Sequence, residues 1–414
     1  LKQWIQASML ILIILFLAAC QSNEQAEAVY FSDYQLEQII REEINRPEGD
    51  ILKEDLLSIT ELNLSGKRIK SIDGLEYLDS VTTLNLQNNK IEDLSPLEKM
   101  DSLEQVNIGG NPYEQADLEN LEASNITVIT KVKVDIRGTE DGPGGYLWKV
   151  ENGDTTVYLQ GTIHIATDEF FPLNRKIEAA YAEADIIVPE IDLNNINVLE
   201  MQAMYMEYAL YEDGSTIQDH IPTETFDELS SIYEDLGYSM DMFATYKPWF
   251  HSSLIQNLMN EELGYIDGVD LYFLNRAEHD QKEIIALETA EDQLSIFANV
   301  SPDYQIQMLE ESIIELSEFE SQMQEMFRLY LEGDGEALLD YLMVEGEEPT
   351  PEEQAYMVAL NDNRNYQMAE QIANFLEEDS GDTYFVIVGS LHLLLEPHIR
   401  SILEEEGYTI EKVL

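Results

Sequence analysis

Between Ile59 and Tyr113 apolar residues return every 22 positions, and a repeat this short leaves the chain few ways to fold. Leu62, Leu84 and Val106 form one row and Leu64, Leu86 and Ile108 a second. Ile69 pairs with Ile91, Ile72 with Leu94, Leu75 with Leu97 and Leu78 with Met100. No such unit can bury its apolar row alone, so the units must stack, each a short strand followed by a return segment. Asn89 and Asn111 take the turn position, while the first unit departs from the pattern with Lys67 two positions after Ser65. Ahead of the stack, Leu36, Ile39, Ile40 and Ile44 have helical spacing, which predicts an amphipathic helix closing its open end.

The period and the Leu-x-Leu strand core resemble leucine-rich repeats, in particular the short internalin-like repeats of bacterial surface proteins. The resemblance implies a small solenoid over residues 34–136, helical cap included, that serves either as a spacer or as a face for a protein partner.

Arg137 to Gly145 reads Arg-Gly-Thr-Glu-Asp-Gly-Pro-Gly-Gly, which is turn chemistry with nothing to bury, and predicts a linker over 137–145. Beyond it the pattern changes to separated apolar runs at Thr156–Leu159, Ile186–Val188, Ile284–Leu287 and Tyr384–Val388, which read as buried strands, with an edge strand within Tyr408–Leu414. Long helical stretches lie between them, at Leu199–Leu210, Phe226–Leu236, Asp303–Leu331 and Pro351–Leu376. Met201, Met204 and Met206 are expected in the core. Residues 146–414 are therefore expected to form an α/β sheet domain with a large helical insertion.

Each of the four strands ends on a residue that can bind a metal or move a proton. Two run into the same spacing, Gly161-Thr162-Ile163-His164 and Gly389-Ser390-Leu391-His392; the others end at Glu190 and Glu288. In open α/β sheets ligands bind beyond the carboxyl ends of the strands, so a parallel arrangement would bring these four together. His164 and His392 are the expected ligands of one divalent ion. Glu190 and Glu288 share the roles of third ligand and catalytic base, in an order the sequence leaves open. Gly161 and Gly389 leave room where the chain turns. Asp270 is a candidate to orient a ligand, and Trp249, after Pro248, to pack beneath the site.

The series Tyr146-Leu147-Trp148-Lys149-Val150, Gly161-Thr162-Ile163-His164, Pro189-Glu190, Lys247-Pro248-Trp249, Gly268-Val269-Asp270, Leu287-Glu288-Thr289 and Gly389-Ser390-Leu391-His392 resembles, in order, the TraB/GumN family, which includes the Tiki metalloproteases. The resemblance covers about Tyr146 to Leu414. It implies a hydrolase dependent on a divalent metal (Mn, Co or Zn) and acting on a peptide or protein substrate. An esterase on a related site and a non-catalytic surface binder with a structural metal are the competing readings.

At the other end, Lys2 precedes an uncharged run from Met9 to Ala19, too short for the ~20 residues that span a bilayer. It closes on Leu17-Ala18-Ala19-Cys20, which resembles a bacterial lipobox. Residues 1–19 are thus expected to be a signal peptide and residues 20–33 a tether lipidated at Cys20, anchoring the protein on the outer face of the cytoplasmic membrane. Cys20 is the one cysteine, so an intrachain disulfide is excluded. A net charge of -61, from 83 Asp and Glu against 22 Lys and Arg, excludes nucleic-acid binding. Changing Cys20 to Ala is expected to leave the protein unprocessed or released. Mass spectrometry of the membrane fraction checks this, and an unmodified thiol there contradicts the anchor.

Overall fold

The computed structural model describes residues 28–414 except 125, 132, 133, 135, 344–348 and 379; the segment expected to be a signal peptide, the expected lipidation site Cys20 and most of the expected tether lie outside the described residues. The chain divides into two compact units, Leu1–Val132 and Lys133–Leu414.

In the first unit strands β1 (Glu61–Asn63), β2 (Thr83–Asn85), β3 (Gln105–Asn107) and β4 (Thr127–Ile129) form one parallel sheet. Its register places Leu62, Leu84, Val106 and Val128 side by side, so the 22-residue row extends one rung beyond the three visible in the sequence. Leu64, Leu86 and Ile108 are fully buried beside them. Helix α1 (Tyr34–Glu43) is capped by Asp33, which accepts from the amides of Gln35 and Leu36, and it buries Leu36 and Ile40 in the core of this unit. Buried Asn89 ties adjacent turns: its Nδ2 donates to the carbonyls of Leu64 (2.8 Å) and Leu86 (2.7 Å), and its Oδ1 accepts from the amides of Lys67 and Ile69 (both 3.0 Å). Asn111 repeats this one turn later toward Leu86, Ile108 and Ile91.

The second unit is built on a six-stranded sheet. Its strands are β5 (Tyr146–Asn152), β6 (Thr155–Thr162), β7 (Ile186–Pro189), β8 (Glu283–Ile284), β9 (Thr383–Gly389) and β10 (Ile410–Lys412), in the order β8-β7-β9-β6-β5-β10. The first four are mutually parallel, whereas β5 pairs antiparallel with both β6 and β10. Tyr384 to Val388 in β9 are all buried, which is why that strand reads as a continuous apolar run and not as an alternation.

The insertion includes α2 (Pro248–Glu262), α3 (Val269–Asp280), α4 (Ala290–Ala298), α5 (Leu316–Glu332), α6 (Gly335–Leu342) and α7 (Asn363–Glu377). The stretch expected as helical from Asp303 to Leu331 is broken at Ile313, whose ψ of 85° leaves the helical region beside a second β-branched residue, Ile314. The chain from Pro351 to Glu377 continues through a π-helical turn at Val358–Asp362, directly before Arg364. Met206 is 58% exposed and Met201 and Met204 are only half-buried, so the helix Val198–Tyr208 places none of the three methionines expected in the core there.

Residues 137–145 are stitched into the second unit instead of hanging between units. The Thr139 amide donates to the Leu173 carbonyl (3.1 Å), and the Asn174 amide donates to that of Pro143 (2.9 Å). Here the glycines serve close backbone approach: a Cβ on Gly142 would stand 2.5 Å from the Leu173 carbonyl oxygen.

The Asn89 ladder gives a direct test. Asn89→Ala strands buried amides and carbonyls, a loss of about 2 kcal/mol or more. Hydrogen exchange at Lys67 and Ile69 should quicken by at least ~30-fold, and unchanged exchange there would remove Asn89 from the account.

Candidate functional site

The register of β6 on β9 pairs Gly161 with Val388 and Thr162 with Gly389, so the two Gly-x-x-His turns leave adjacent parallel strands at the same end. Ser390 fastens the second turn to the first strand, since both its amide and its hydroxyl donate to the Thr162 carbonyl (2.9 Å each). Its hydroxyl is committed to structure. A Cβ on Gly161 would press on Ser390 Oγ (3.1 Å) and Tyr146 Cβ (3.2 Å), so glycine permits this close approach. A Cβ on Gly389 would stand 3.4 Å from Glu190 Oε1, and any longer side chain would crowd the carboxylate.

After β6 the main chain docks on the start of α3. The Gly268 amide donates to the His164 carbonyl (3.0 Å) and that of Val269 to the Ile163 carbonyl (2.9 Å), and a Cβ on Gly268 would collide with the Ile163 carbonyl. This contact brings Asp270 Oδ2 to 2.7 Å from His164 Nδ1. A carboxylate only accepts, so Nδ1 carries the proton and Nε2 is left for other work. The His164 ring is 72% exposed because it faces an open cavity. The hydrogen bond that Nδ1 donates to Asp270 is the largest influence on the imidazole and pushes its pKa up to about 9.

His392 is buried, and its tautomer is fixed from behind. Asn365 Nδ2 donates to the Pro397 carbonyl (2.8 Å) and to Asn361 Oδ1 (3.1 Å), which turns Asn365 Oδ1 toward His392 Nδ1 at 2.6 Å. Since Oδ1 accepts, Nδ1 is again the protonated nitrogen and Nε2 the bare one, 3.8 Å from Glu190 Oε1. Burial lowers the pKa of this ring against the pull of Glu190.

Glu190 follows β7. The chain after β8 runs beside it, with the Leu287 amide on the Pro189 carbonyl (2.9 Å) and the Glu288 amide on the Glu190 carbonyl (2.8 Å), so the two glutamates become neighbours. Arg364 of α7 holds both. Its Nη2 donates to Glu190 Oε2 (2.6 Å) and Glu288 Oε2 (2.7 Å), and its Nε donates to Glu288 Oε1 (2.9 Å). Gln293 Nε2 donates to both carboxylates, and the Gly389 amide to Glu190 Oε1 (2.6 Å). Burial alone would raise the Glu190 pKa, but His392, Arg364 and His164 together with the Gly389 amide outweigh it and bring the carboxyl down to about 2.

His164, Glu190, Arg364, Gly389 and His392 line one cavity of about 550 Å³. Glu288 is buried behind Arg364 and is not part of that lining. Trp249 is buried as well: its Nε1 donates to the Tyr208 carbonyl (3.3 Å) and its ring stacks on Phe297, which does line the cavity. The other four histidines stand elsewhere: His220 stacks on Tyr211, His251 is buried against the Tyr233 hydroxyl, His279 lies in the last turn of α3, and His398 caps Ile399–Glu405. Among the described residues no group of three or more His, Cys, Asp or Glu side chains is disposed to hold a metal ion. The Nε2 of His392, and that of His164 once it has given up its second proton, suit a metal in kind, but both oxygens of the intended third ligand, Glu190, are engaged by Gly389, Arg364 and Gln293.

Arg364 and Asn365 escaped the sequence reading. For Asn365 a signal was there: Asn361 and Asn365 lie on the same helical row as Ala369, Ile372 and Leu376, and polar residues on a core-facing row need partners.

The profile of the TraB/PrgY/gumN family matches residues 146–412, nearly the whole second unit. The chain belongs to the TraB/PrgY/gumN family. Leucine-rich repeats match residues 57–99 and 79–123. Among TraB/PrgY/gumN-like relatives, YbaP of Escherichia coli is 23% identical over 163 residues, 39% of this chain and 58% of that protein. The zebrafish (Danio rerio) metalloprotease TIKI1 is 22% identical over 314 residues, 64% of this chain and 62% of that protein. The chain thus spans about three fifths of the length of these curated relatives. An internalin from Listeria monocytogenes is 30% identical over 26% of this chain and 33% of its own, with a TM-score of 0.23.

The clamp on the glutamates sets a stability test. Replacing Arg364 by Met leaves two buried carboxylates without their cation, at a cost of ~3–5 kcal/mol. In the wild type the ionised Glu190 stabilises the fold fully above its ordinary pKa of 4.5, and that contribution is lost as pH falls toward about 2. Urea unfolding of Arg364→Met should therefore show a large loss near neutral pH and a smaller further loss on acidification than the wild type. Equal stability of the two proteins at neutral pH contradicts the clamp.

Proposed function

We propose that this chain is a hydrolase of carboxyl derivatives, in which His392 takes the proton of an attacking water and His164 donates to the carbonyl oxygen or to the leaving group. The observation that carries the reading is the matched pair of imidazoles: each has Nδ1 engaged from behind, one by an amide oxygen and one by a carboxylate, and each has Nε2 free beside the same cavity. A neutral partner keeps His392 an acceptor, while Asp270 stabilises charge on His164, so the two rings are prepared for opposite roles. Glu190, held ionised by its neighbours, is a poor proton acceptor near neutrality and serves to orient the site. Arg364 positions Glu190, and Glu288 balances Arg364 from behind.

A second reading, in which His164 gives up its second proton to a cation, has a divalent ion on Nε2 of His164 and His392, with Glu190 turned to complete its shell. When bound, such an ion would polarise the carbonyl and acidify a water. The weak similarity to a metalloprotease supports hydrolysis at a carboxyl derivative, amide or ester, under either reading. The repeats, with Cys20 as lipid anchor, would hold the enzyme at the cell surface and meet a protein partner; a non-catalytic binder would need only the repeats.

Purified full-length protein should hydrolyse members of an ester and peptide panel. His392→Ala should lower kcat/KM by ~10²–10⁴-fold with the fold intact, and His164→Ala comparably. Activity that survives exhaustive chelation supports the acid–base reading. Loss of bound metal and turnover together in either histidine variant supports the ion. Full turnover with both histidines replaced ends both readings and leaves the binder.

A further inference from the structure

The cavity that holds the histidines is also lined by Phe319, Met323 and Met326 of α5, Leu338 of α6, and Met357 and Leu360 of the run leading into α7, which together make an apolar wall. These side chains stand on helical backbone, whose amides and carbonyls are paired within their own helices. Such a wall offers methyl, methylene and thioether surface and no main-chain partner. An extended peptide entering it would bring a donor and an acceptor per residue and leave them unpaired, at a cost of about 1–3 kcal/mol for each buried group. A hydrocarbon chain brings none, and three unbranched methionines adapt to a flexible chain better than a rigid wall would.

Resting on the hydrolase reading above, we infer that the substrate is an acyl ester or acyl amide whose alkyl chain fills this wall, with its carbonyl between His164 and His392. Water adds to the carbonyl carbon as His392 Nε2 takes its proton; the bond to the leaving oxygen or nitrogen breaks as His164 protonates it. One water is consumed, and a carboxylic acid and an alcohol or amine are released. The polar leaving part meets the amide row Gln256, Asn257 and Asn260 of α2, of which Asn260 Oδ1 is buried with no partner among the described residues.

The binding test uses neutral, unreactive carbonyl probes on the full chain: calorimetry with methyl ketones from pentanone to decanone, and with a capped trileucine peptide. Each added methylene should tighten binding by about fourfold, the equivalent of ~0.8 kcal/mol, with the peptide weaker than decanone. Met326→Gln and Leu360→Gln should flatten that dependence, and Met326→Leu should keep it. Affinity indifferent to chain length, or a peptide that outbinds decanone, overturns the inference. Chain-length-dependent binding without hydrolysis of the matching esters supports the acyl site and counts against the hydrolase reading alone. Hydrolysis indifferent to acyl length does the reverse.

Discussion

One buried guanidinium organises the site. Arg364 places its donors on two carboxylates that reach it from neighbouring strand ends, and without it Glu190 and Glu288 would repel each other in a poorly solvated space. Because Arg364 fixes Glu190, and Glu190 accepts from the Gly389 amide, the turn that carries His392 is tied to the same cation. The next residue, Asn365, orients the His392 ring itself. A single turn of helix thus sets both the charge and the tautomer of the site. It lies directly after a π-helical turn, a local departure that shifts the face on which the following residues stand.

The sheet does the rest of the assembly. Parallel pairing of β7, β9 and β6 brings three strand ends to one edge, and backbone contacts beyond the strands then aim the side chains. Glycine is needed where those contacts are tightest. At Gly268 the backbone of the first turn lies so close that no side chain fits, and that closeness is what brings Asp270 beneath His164. At Gly161 the same logic seats the Ser390 turn.

Sequence patterning made the ends of β6, β7 and β9 legible because their signal is local, a short apolar run closing on a titratable residue; the run expected as a strand over Ile284–Leu287 pairs only at Glu283–Ile284, so Glu288 stands four residues beyond its strand and reaches the site through backbone contact with Glu190. The repeat rows were legible for the same reason, although the fourth rung at Val128 follows turns without the full pattern and went unread. What the sequence did not disclose are partnerships fixed by tertiary contact. Arg364 stands in a helix far along the chain from the glutamates it pairs, and no spacing rule links them. The stretch 137–145 shows the converse error, since a glycine-rich composition serves close packing as readily as it serves a linker.

The charge of the whole molecule bears on the cycle of this site. With a formal charge of -61, long-range repulsion disfavours the approach of anions, whereas an uncharged ester or amide approaches freely. Inside, Arg364 and His164 stand against Glu190, Glu288 and Asp270, so the pocket is locally close to balance and does not inherit the sign of the surface. On the hydrolase reading proposed above, an uncharged substrate would become a carboxylate. That product would form beside Glu190, whose own cation is already shared between two acids, and long-range repulsion from a protein of formal charge -61, acting over about one Debye length, ~8 Å at physiological salt, would then favour its departure.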